Sequence, residues 1–367
     1  MARDRIALSL VVFGSVVGAA ACSSSETHPA PDTSKPTPVG EQAKAPEESF
    51  DPTPASRGAS NRRPHESNQR RALSLVPADS ALGFPARVQI EVEGEFRVLR
   101  GNGAPNHHVG SFPNRGNPHA IEEQSYEVKV PAKPSFASST TPLGNHNFGF
   151  AINGVPFDPG AAEFYLGDRN TTWQYEALGG AVPLGIDENH AHVQPTGAYH
   201  YHGLPTQLLD ELGVREGKVS PVIGWAADGF PIYALYGPSD PEDASSPPTE
   251  YGSSYVLREG QRPGGEGHPG GTYDGTFVAD YRYVAGKGEL DECNGRTIVT
   301  ADFPQGSYAY FLSRDWPVIP RCYRGTPHPS VIDRGPGAGA PPRRPGQPPG
   351  GGPRPGRPGP RPPRGGR

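Results

Sequence analysis

The sequence predicts a mainly β fold, an antiparallel β-sandwich or barrel-like domain with short helices and long loops, flanked by disordered tails. Apolar and polar residues alternate over several short segments, which is typical of half-buried strands. Gly- and Pro-rich turns separate these segments, and no segment supports an amphipathic helix longer than about three turns. Many short strands divided by such turns are typical of a sandwich or barrel.

Composition divides the chain of 367 residues into four parts. Gly and Pro together supply 95 residues, and much of that excess lies near the two ends. Segments of this kind cannot bury a core and are expected to be disordered. The predicted parts are a signal peptide at 1–21, a linker at 22–72, one domain at 73–332 and a Pro/Gly/Arg-rich tail at 333–367.

The N-terminus has the features of an export signal. Arg3 and Arg5 precede an apolar run that ends in small residues directly before Cys22. A charged region, an apolar region and a small-residue cleavage site define a secretory signal. The last part resembles a bacterial lipobox, which implies that Cys22 becomes a lipidated N-terminus. We therefore expect an exported lipoprotein, on the outer membrane or cell surface or in the periplasm. An ordinary signal peptide with a soluble product is the alternative.

Charge is distributed unevenly along the chain. The formal net charge is −5, yet the segment 335–367 has seven Arg and no acid, so the remainder carries −12. An acidic body argues against nucleic acid as the main partner. The Arg-rich tail suits an anionic envelope polymer, and a solubilising tail with no specific partner explains it equally well.

Several segments between residues 87 and 312 predict individual elements. Asp228-Gly229 between two apolar runs is a strong two-residue hairpin signal. Thr206 to Leu212 predicts one short helix that stops at Gly213. The predicted strands are Arg87–Glu93, Ser125–Val130, Phe148–Val155, Val222–Ala227, Phe230–Tyr236, Phe277–Val284 and Tyr308–Leu312.

Potential metal ligands are most concentrated in the stretch 188–203, which holds four of the twelve histidines in two His-x-His pairs. Pro195-Thr196-Gly197 between the pairs predicts a three-residue hairpin loop, with Gly197 in the left-handed conformation. Such a hairpin pairs His192 with His200 and His190 with His202. Side chains alternate between faces along a strand, so all four imidazoles would share one face.

Four imidazoles on one face point to a metal centre, because closely packed imidazoles must otherwise stay neutral or repel one another. Directly opposed side chains are close enough to share one ion. Imidazole ligands suit zinc and copper, and the only methionine is Met1, so copper would have to be held by histidine. The alternative is a set of singly hydrogen-bonded histidines with a structural role.

Cys293 and Cys322 are the two cysteines that remain after Cys22 is assigned to the signal. In an exported protein, such a pair is most simply a disulfide. The alternative assigns them as two thiolate ligands of the histidine site.

Other residues offer chemistry, but each also has a simpler structural role. Tyr199 and Tyr201 fall on the face opposite the histidines, where packing explains them. Asp228 suits a turn as well as a carboxylate near the metal. Asp291 and Glu292 fit a solvated turn, and His107 or His108 is a further candidate for closing the site. The sequence has no serine-hydrolase elbow, phosphate-binding loop or His-Glu-x-x-His helix.

Pro195-Thr196-Gly197-Ala198-Tyr199-His200-Tyr201-His202-Gly203 resembles the signature of the YHYH-domain family. The resemblance covers about residues 95–325 and includes Asn153 to Gly160, Ala227 to Tyr233 and Leu290 to Gly295. Many members repeat a His-bearing motif where this chain has Tyr308-Ala309-Tyr310, so a histidine from there cannot complete the site. His190 stands where members of the family commonly vary. His192, His200 and His202 are therefore the preferred ligands, with His190 as a possible fourth.

The family resemblance implies an extracytoplasmic setting but no established reaction, so the function has to be inferred from the site. The first hypothesis is a lipoprotein that binds zinc or copper through the hairpin histidines. Its reaction would be metal-assisted hydrolysis or copper-dependent oxidation if it is an enzyme, and no catalytic residue is assigned. The alternative is a non-catalytic cell-surface module that binds glycan or envelope polymer.

Overall fold

The computed structural model describes residues 75–76 and 82–332. The predicted signal peptide, the linker, the lipidation site Cys22 and the Arg-rich tail lie outside the described residues. Within the described part, the chain is mainly β, as predicted. No helix there has both the length and the apolar composition required to span a membrane.

An eight-stranded sheet organises the domain. Its strands are β7 (Gly149–Ala151), β8 (Pro156–Phe157), β11 (Ala191–Val193), β12 (Tyr199–Tyr201), β13 (Gly224–Ala226), β14 (Pro231–Ala234), β19 (Gly295–Ile298) and β20 (Ser307–Leu312). Their order across the sheet is β11-β12-β8-β7-β13-β14-β20-β19.

This sheet is mixed, whereas the sequence predicted antiparallel pairing. Strand β12 pairs with β8 in parallel, and β14 pairs with β20 in parallel. Parallel neighbours need long connections, and the segment between β14 and β20 forms small sheets of its own. Antiparallel β13 and β14 form the predicted hairpin around Asp228-Gly229.

Smaller sheets surround the large one. One has three strands in the order β2-β3-β5. Five have two antiparallel strands each, and they pair β1 with β4, β6 with β21, β9 with β10, β15 with β16 and β17 with β18. Their bounds are β1 (Leu75–Val76), β2 (Val88–Glu93), β3 (Phe96–Gly101), β4 (Val109–Gly110), β5 (Tyr126–Pro131), β6 (Phe136–Pro142), β9 (Gly160–Phe164), β10 (Gln174–Glu176), β15 (Tyr236–Pro238), β16 (Pro248–Glu250), β17 (Tyr255–Leu257), β18 (Tyr281–Tyr283) and β21 (Cys322–Gly325).

Helical structure is brief in the described chain. Helix α1 (Thr206–Glu211) forms where one short helix was predicted and buries Leu208 and Leu209. Helix α2 (Pro329–Ile332) contacts β5. Two 3-10 turns cover Tyr165–Gly167 and Val278–Asp280, and the second of these occupies the start of a segment that was predicted as strand.

The core is rich in aromatic side chains. Strand β14 is buried throughout, and so is β20 from its second residue. The ring centroids of Phe148 and Tyr310 are 4.9 Å apart in an edge-to-face contact, and the rings of Tyr233 and Phe311 stack at 5.6 Å. Edge-to-face and offset-stacked pairs are the favoured aromatic arrangements. These aromatic contacts therefore stabilise the large sheet.

Cys293 and Cys322 form a disulfide with a Cα–Cα distance of 5.0 Å. The predicted pairing is confirmed, and the alternative in which these cysteines serve as metal ligands is wrong. The bond links the segment before β19 to the start of β21 across 29 residues. Closing a loop of that size contributes about 3–4 kcal/mol in the chain-entropy model.

Candidate metal centre

The histidine hairpin forms in the predicted register. His192 lies directly opposite His200, with Ala191 opposite Tyr201 and Val193 opposite Tyr199. The three-residue loop closes through Gly197, whose φ is 82°. A Cβ at Gly197 would lie 2.4 Å from the Glu122 Cβ. Both the backbone conformation and the available space therefore require glycine here.

Three histidines of the hairpin converge on one point. One ligand nitrogen from each of His192, His200 and His202 lies within 4.8 Å of the other two. The ring centroids are 4.7, 4.6 and 4.7 Å apart, and each pair of rings is steeply inclined. Their lone pairs can therefore be directed at a common centre.

Backbone carbonyls fix the orientation of two of these rings. His192 Nδ1 lies 2.8 Å from the Leu184 carbonyl oxygen, and His200 Nδ1 lies 3.1 Å from the Ala198 carbonyl oxygen. A carbonyl oxygen only accepts hydrogen bonds, so both Nδ1 atoms must carry the proton. Each Nε2 is then left with a lone pair, as in metal-ligating histidines whose other nitrogen donates to a carbonyl.

The third ring, that of His202, completes the arrangement but leaves one of its nitrogens without a good hydrogen bond. His200 Nε2 and His202 Nε2 are 3.0 Å apart. Because His200 Nε2 has no proton, His202 Nε2 must donate to it, and His202 Nδ1 is then a bare lone pair. That Nδ1 is buried and makes no hydrogen bond of ordinary geometry among the described residues, while the Pro159 carbonyl, an acceptor, acts to raise the pKa of this ring. A cation at the centre would release the Nε2 proton and let Nδ1 take it up, so the residues fit a metal ion.

Burial keeps the three imidazoles neutral. Desolvation lowers the pKa of His192 to about 4, against a smaller opposing effect of the Leu184 carbonyl. Burial likewise lowers the pKa of His200 and His202 well below the ordinary value, and the neighbouring imidazoles add to this. A metal needs unprotonated ligands, which this environment supplies at neutral pH.

His190 does not belong to this cluster, although the sequence placed it on the same face. Its backbone accepts a hydrogen bond from His202 N, but its φ is 53°, so the strand begins only at Ala191. The His190 ring is held elsewhere, with Nδ1 2.8 Å from the Leu204 carbonyl oxygen. The turn that begins at Asp187 extends through His190 and removes it from the alternating pattern.

The two tyrosines of the signature lie on the opposite face, in a packed polar layer, as the alternation predicted. Tyr199 OH donates to a buried Asp187 oxygen at 2.7 Å. Tyr201 OH lies 2.6 Å from His107 Nε2 and accepts a bond from the Asn153 amide at 2.9 Å. Burial raises the pKa of Asp187 to about 6. This layer holds β12 in place, and His107 is part of it rather than of the histidine cluster.

The other carboxylates considered from the sequence lie away from the histidines. Asp228 occupies the predicted turn and accepts a bond from Tyr310 OH at 2.5 Å. Asp291 accepts from Tyr308 OH at 3.0 and 3.1 Å, and Glu292 is exposed. None of these three acids lines the cavity that contains the histidine cluster.

That cavity has a volume of about 280 Å³ and opens to solvent, with the three histidines in its wall. Asp158 also lines it, is 3% exposed, and accepts a bond from the Gln194 amide at 3.0 Å. Burial raises the pKa of Asp158 to about 7. Sequence reasoning missed this residue as a site residue, although it stands inside the Asn153 to Gly160 segment of the family resemblance. Half-buried His119, half-buried Glu163 and exposed Arg169 complete the titratable part of the lining.

The fold and the site together define a mainly β domain with a histidine cluster in an accessible cavity. A family model described as YHYH protein matches residues 127–325, more than half of the chain. The chain therefore belongs to the YHYH family. No curated protein and no solved structure matches it.

Proposed function

We propose that this protein binds one transition-metal ion, zinc or copper, through His192, His200 and His202. The observation that carries the proposal is the convergence of three ligand nitrogens within 4.8 Å. The fixed Nδ1 protons of two rings and the unpartnered Nδ1 of the third support it. A purely structural role for the histidines gives no reason to leave a buried lone pair without a donor.

The distances favour a small ion with short bonds to nitrogen. Zinc binds imidazole at about 2.0–2.1 Å, so two ligands of a tetrahedral zinc lie about 3.3–3.4 Å apart. The 3.0 Å between His200 Nε2 and His202 Nε2 is close to that value. Imidazole is an equally suitable ligand for copper, so the site is compatible with either metal.

We infer that the ion is reachable by small molecules, because the cluster lies in the wall of an open cavity. Structural zinc sites are closed by four protein ligands, whereas reactive sites keep three ligands and an open position. Bound zinc would supply a Lewis acid and bound copper a redox centre. The chain itself would keep the imidazoles neutral and place the Asp158 carboxyl in the same cavity.

Metal loading tests this proposal directly. The purified full chain, stripped with a chelator, is incubated with zinc or with copper at pH 7.5 and desalted, and metal is counted by elemental analysis. We expect about one ion per chain, and no metal at any other cluster of the described residues. Fewer than about 0.2 ions per chain for both metals, in a folded preparation, would overturn the proposal.

We also propose that the protein is exported and anchored through a lipid on Cys22, with the Arg-rich tail available to an anionic envelope polymer. A disulfide between Cys293 and Cys322 is compatible with an oxidising compartment. Expression of the full chain in a Gram-negative host should place it in the membrane fraction. Cys22→Ser should move it to the soluble fraction, and a soluble wild-type protein would contradict the anchor.

A further inference from the structure

A second concavity lies apart from the histidine cavity and shares no lining residue with it. It is a shallow groove of about 340 Å³ between β6, β19, β21 and the segment that precedes β19. The disulfide ties that segment to β21, so two sides of the groove are covalently linked. The disulfide therefore restrains these two sides of the groove relative to each other.

An aromatic platform forms one end of this groove. Phe136 is 55% exposed, an unusual state for so large an apolar side chain. Its ring is fixed by Tyr308 at 5.4 Å and by Phe230 at 5.5 Å. The ring is thus presented to solvent in a defined orientation.

Two arginines supply hydrogen-bond donors beside the platform. The Arg324 guanidinium lies 5.2 Å from the Phe136 ring centroid, and its ion pairs with Asp291 and Glu292 are long, at 3.7 and 3.6 Å. The Arg296 guanidinium stacks on Tyr251 at 4.6 Å and has no ion-pair or hydrogen-bond partner in the described chain.

Charges in the lining cancel. Arg296, Arg324, Glu289 and Asp291 all line the groove. A cationic ligand would meet the arginines and an anionic ligand would meet the acids. The groove therefore offers directional polar groups without a net field, which favours a neutral ligand rich in hydroxyl groups.

We propose that this groove binds an uncharged oligosaccharide. A sugar ring has an apolar face of C–H groups that can pack on Phe136. Its ring hydroxyls can accept hydrogen bonds from the guanidinium groups and donate to carboxylate oxygens. This site is independent of the metal centre and adds a recognition function to it.

The test uses the purified full chain and isothermal titration calorimetry. The neutral probes are maltotetraose, cellotetraose and chitotetraose, and the anionic probe is tetragalacturonate. We expect saturable binding of at least one neutral probe. Phe136→Ala should weaken that binding at least about tenfold, because stacking on a ring contributes on the order of 1 kcal/mol or more. Val92→Ala, which truncates another exposed apolar residue on β2, should leave it unchanged.

Three results would overturn the proposal. The first is no binding of any neutral probe by the folded chain. The second is binding of a neutral probe that Phe136→Ala leaves intact. The third is binding of tetragalacturonate alone that is lost in Arg296→Gln, which would identify an anion site. Melting temperatures of all variants verify that lost binding does not reflect unfolding, and metal content separates this result from the fate of the histidine site.

Discussion

His200→Ala is expected to abolish stoichiometric metal binding and to weaken zinc affinity by at least about 100-fold. Loss of a residue that merely orients a ligand typically costs 10- to 100-fold, and removal of a ligand should cost no less. His200 is central to the cluster, since it lies opposite His192 and its Nε2 is 3.0 Å from His202 Nε2. A competition titration with a chromogenic chelator measures the change.

Matched variants separate the loss of a ligand from general damage. His192→Ala and His202→Ala should behave like His200→Ala. His108→Ala removes an exposed ring outside the cluster and should leave affinity unchanged. His190→Asn should alter stability rather than metal content, because its ring bonds to the Leu204 carbonyl. If His190→Asn lost the metal while His200→Ala retained it, the ligand assignment would be wrong.

Local pattern was sufficient to predict the hairpin and its histidine face. A Pro-Thr-Gly loop sets the register, and strict alternation then places His192, His200 and His202 together. The same rule failed at His190, because a turn that starts at Asp187 leaves that residue with a φ of 53°. Alternation applies only while the backbone stays extended, and the sequence gives no clear sign of where that ends.

Pairing between strands that are distant along the chain could not be predicted from the sequence. Asp158 reaches the cavity because β8 pairs in parallel with β12, and Asp158 N bonds to the Tyr201 carbonyl at 2.9 Å. That contact joins residues more than forty positions apart, and no periodicity in either segment encodes it. The groove with Phe136 has the same origin, since β6 pairs with β21 across the domain. Sites made from one hairpin are predictable, whereas sites made from distant strands are not.

Zinc affinity should be nearly independent of pH between pH 7.5 and 5.5, in contrast to ordinary histidine sites. Histidines with an unperturbed pKa of about 6.5 would each lose about tenfold in effective ligand concentration at pH 5.5. Burial lowers the pKa of His192 to about 4 and those of His200 and His202 well below normal, so no ligand proton has to be displaced in this range. We expect less than about a threefold change for the full chain.

A synthetic peptide of residues 188–203 is the matched control, because its histidines are exposed and should titrate near pH 6.5. Its zinc affinity should fall by about 100- to 1,000-fold between pH 7.5 and 5.5, according to whether two or three imidazoles bind.

Folding must be verified by circular dichroism at each pH. Because the pKa of His192 is lowered in the folded chain, the unfolded chain binds the proton more readily, and stability is lost as pH falls from about 6.5 to about 4. The raised pKa values of Asp158 and Asp187, about 7 and about 6, act in the opposite sense and stabilise the folded chain as pH falls. A folded chain whose affinity drops as steeply as that of the peptide would show that these imidazoles titrate normally, and that burial does not protect the metal centre from protons.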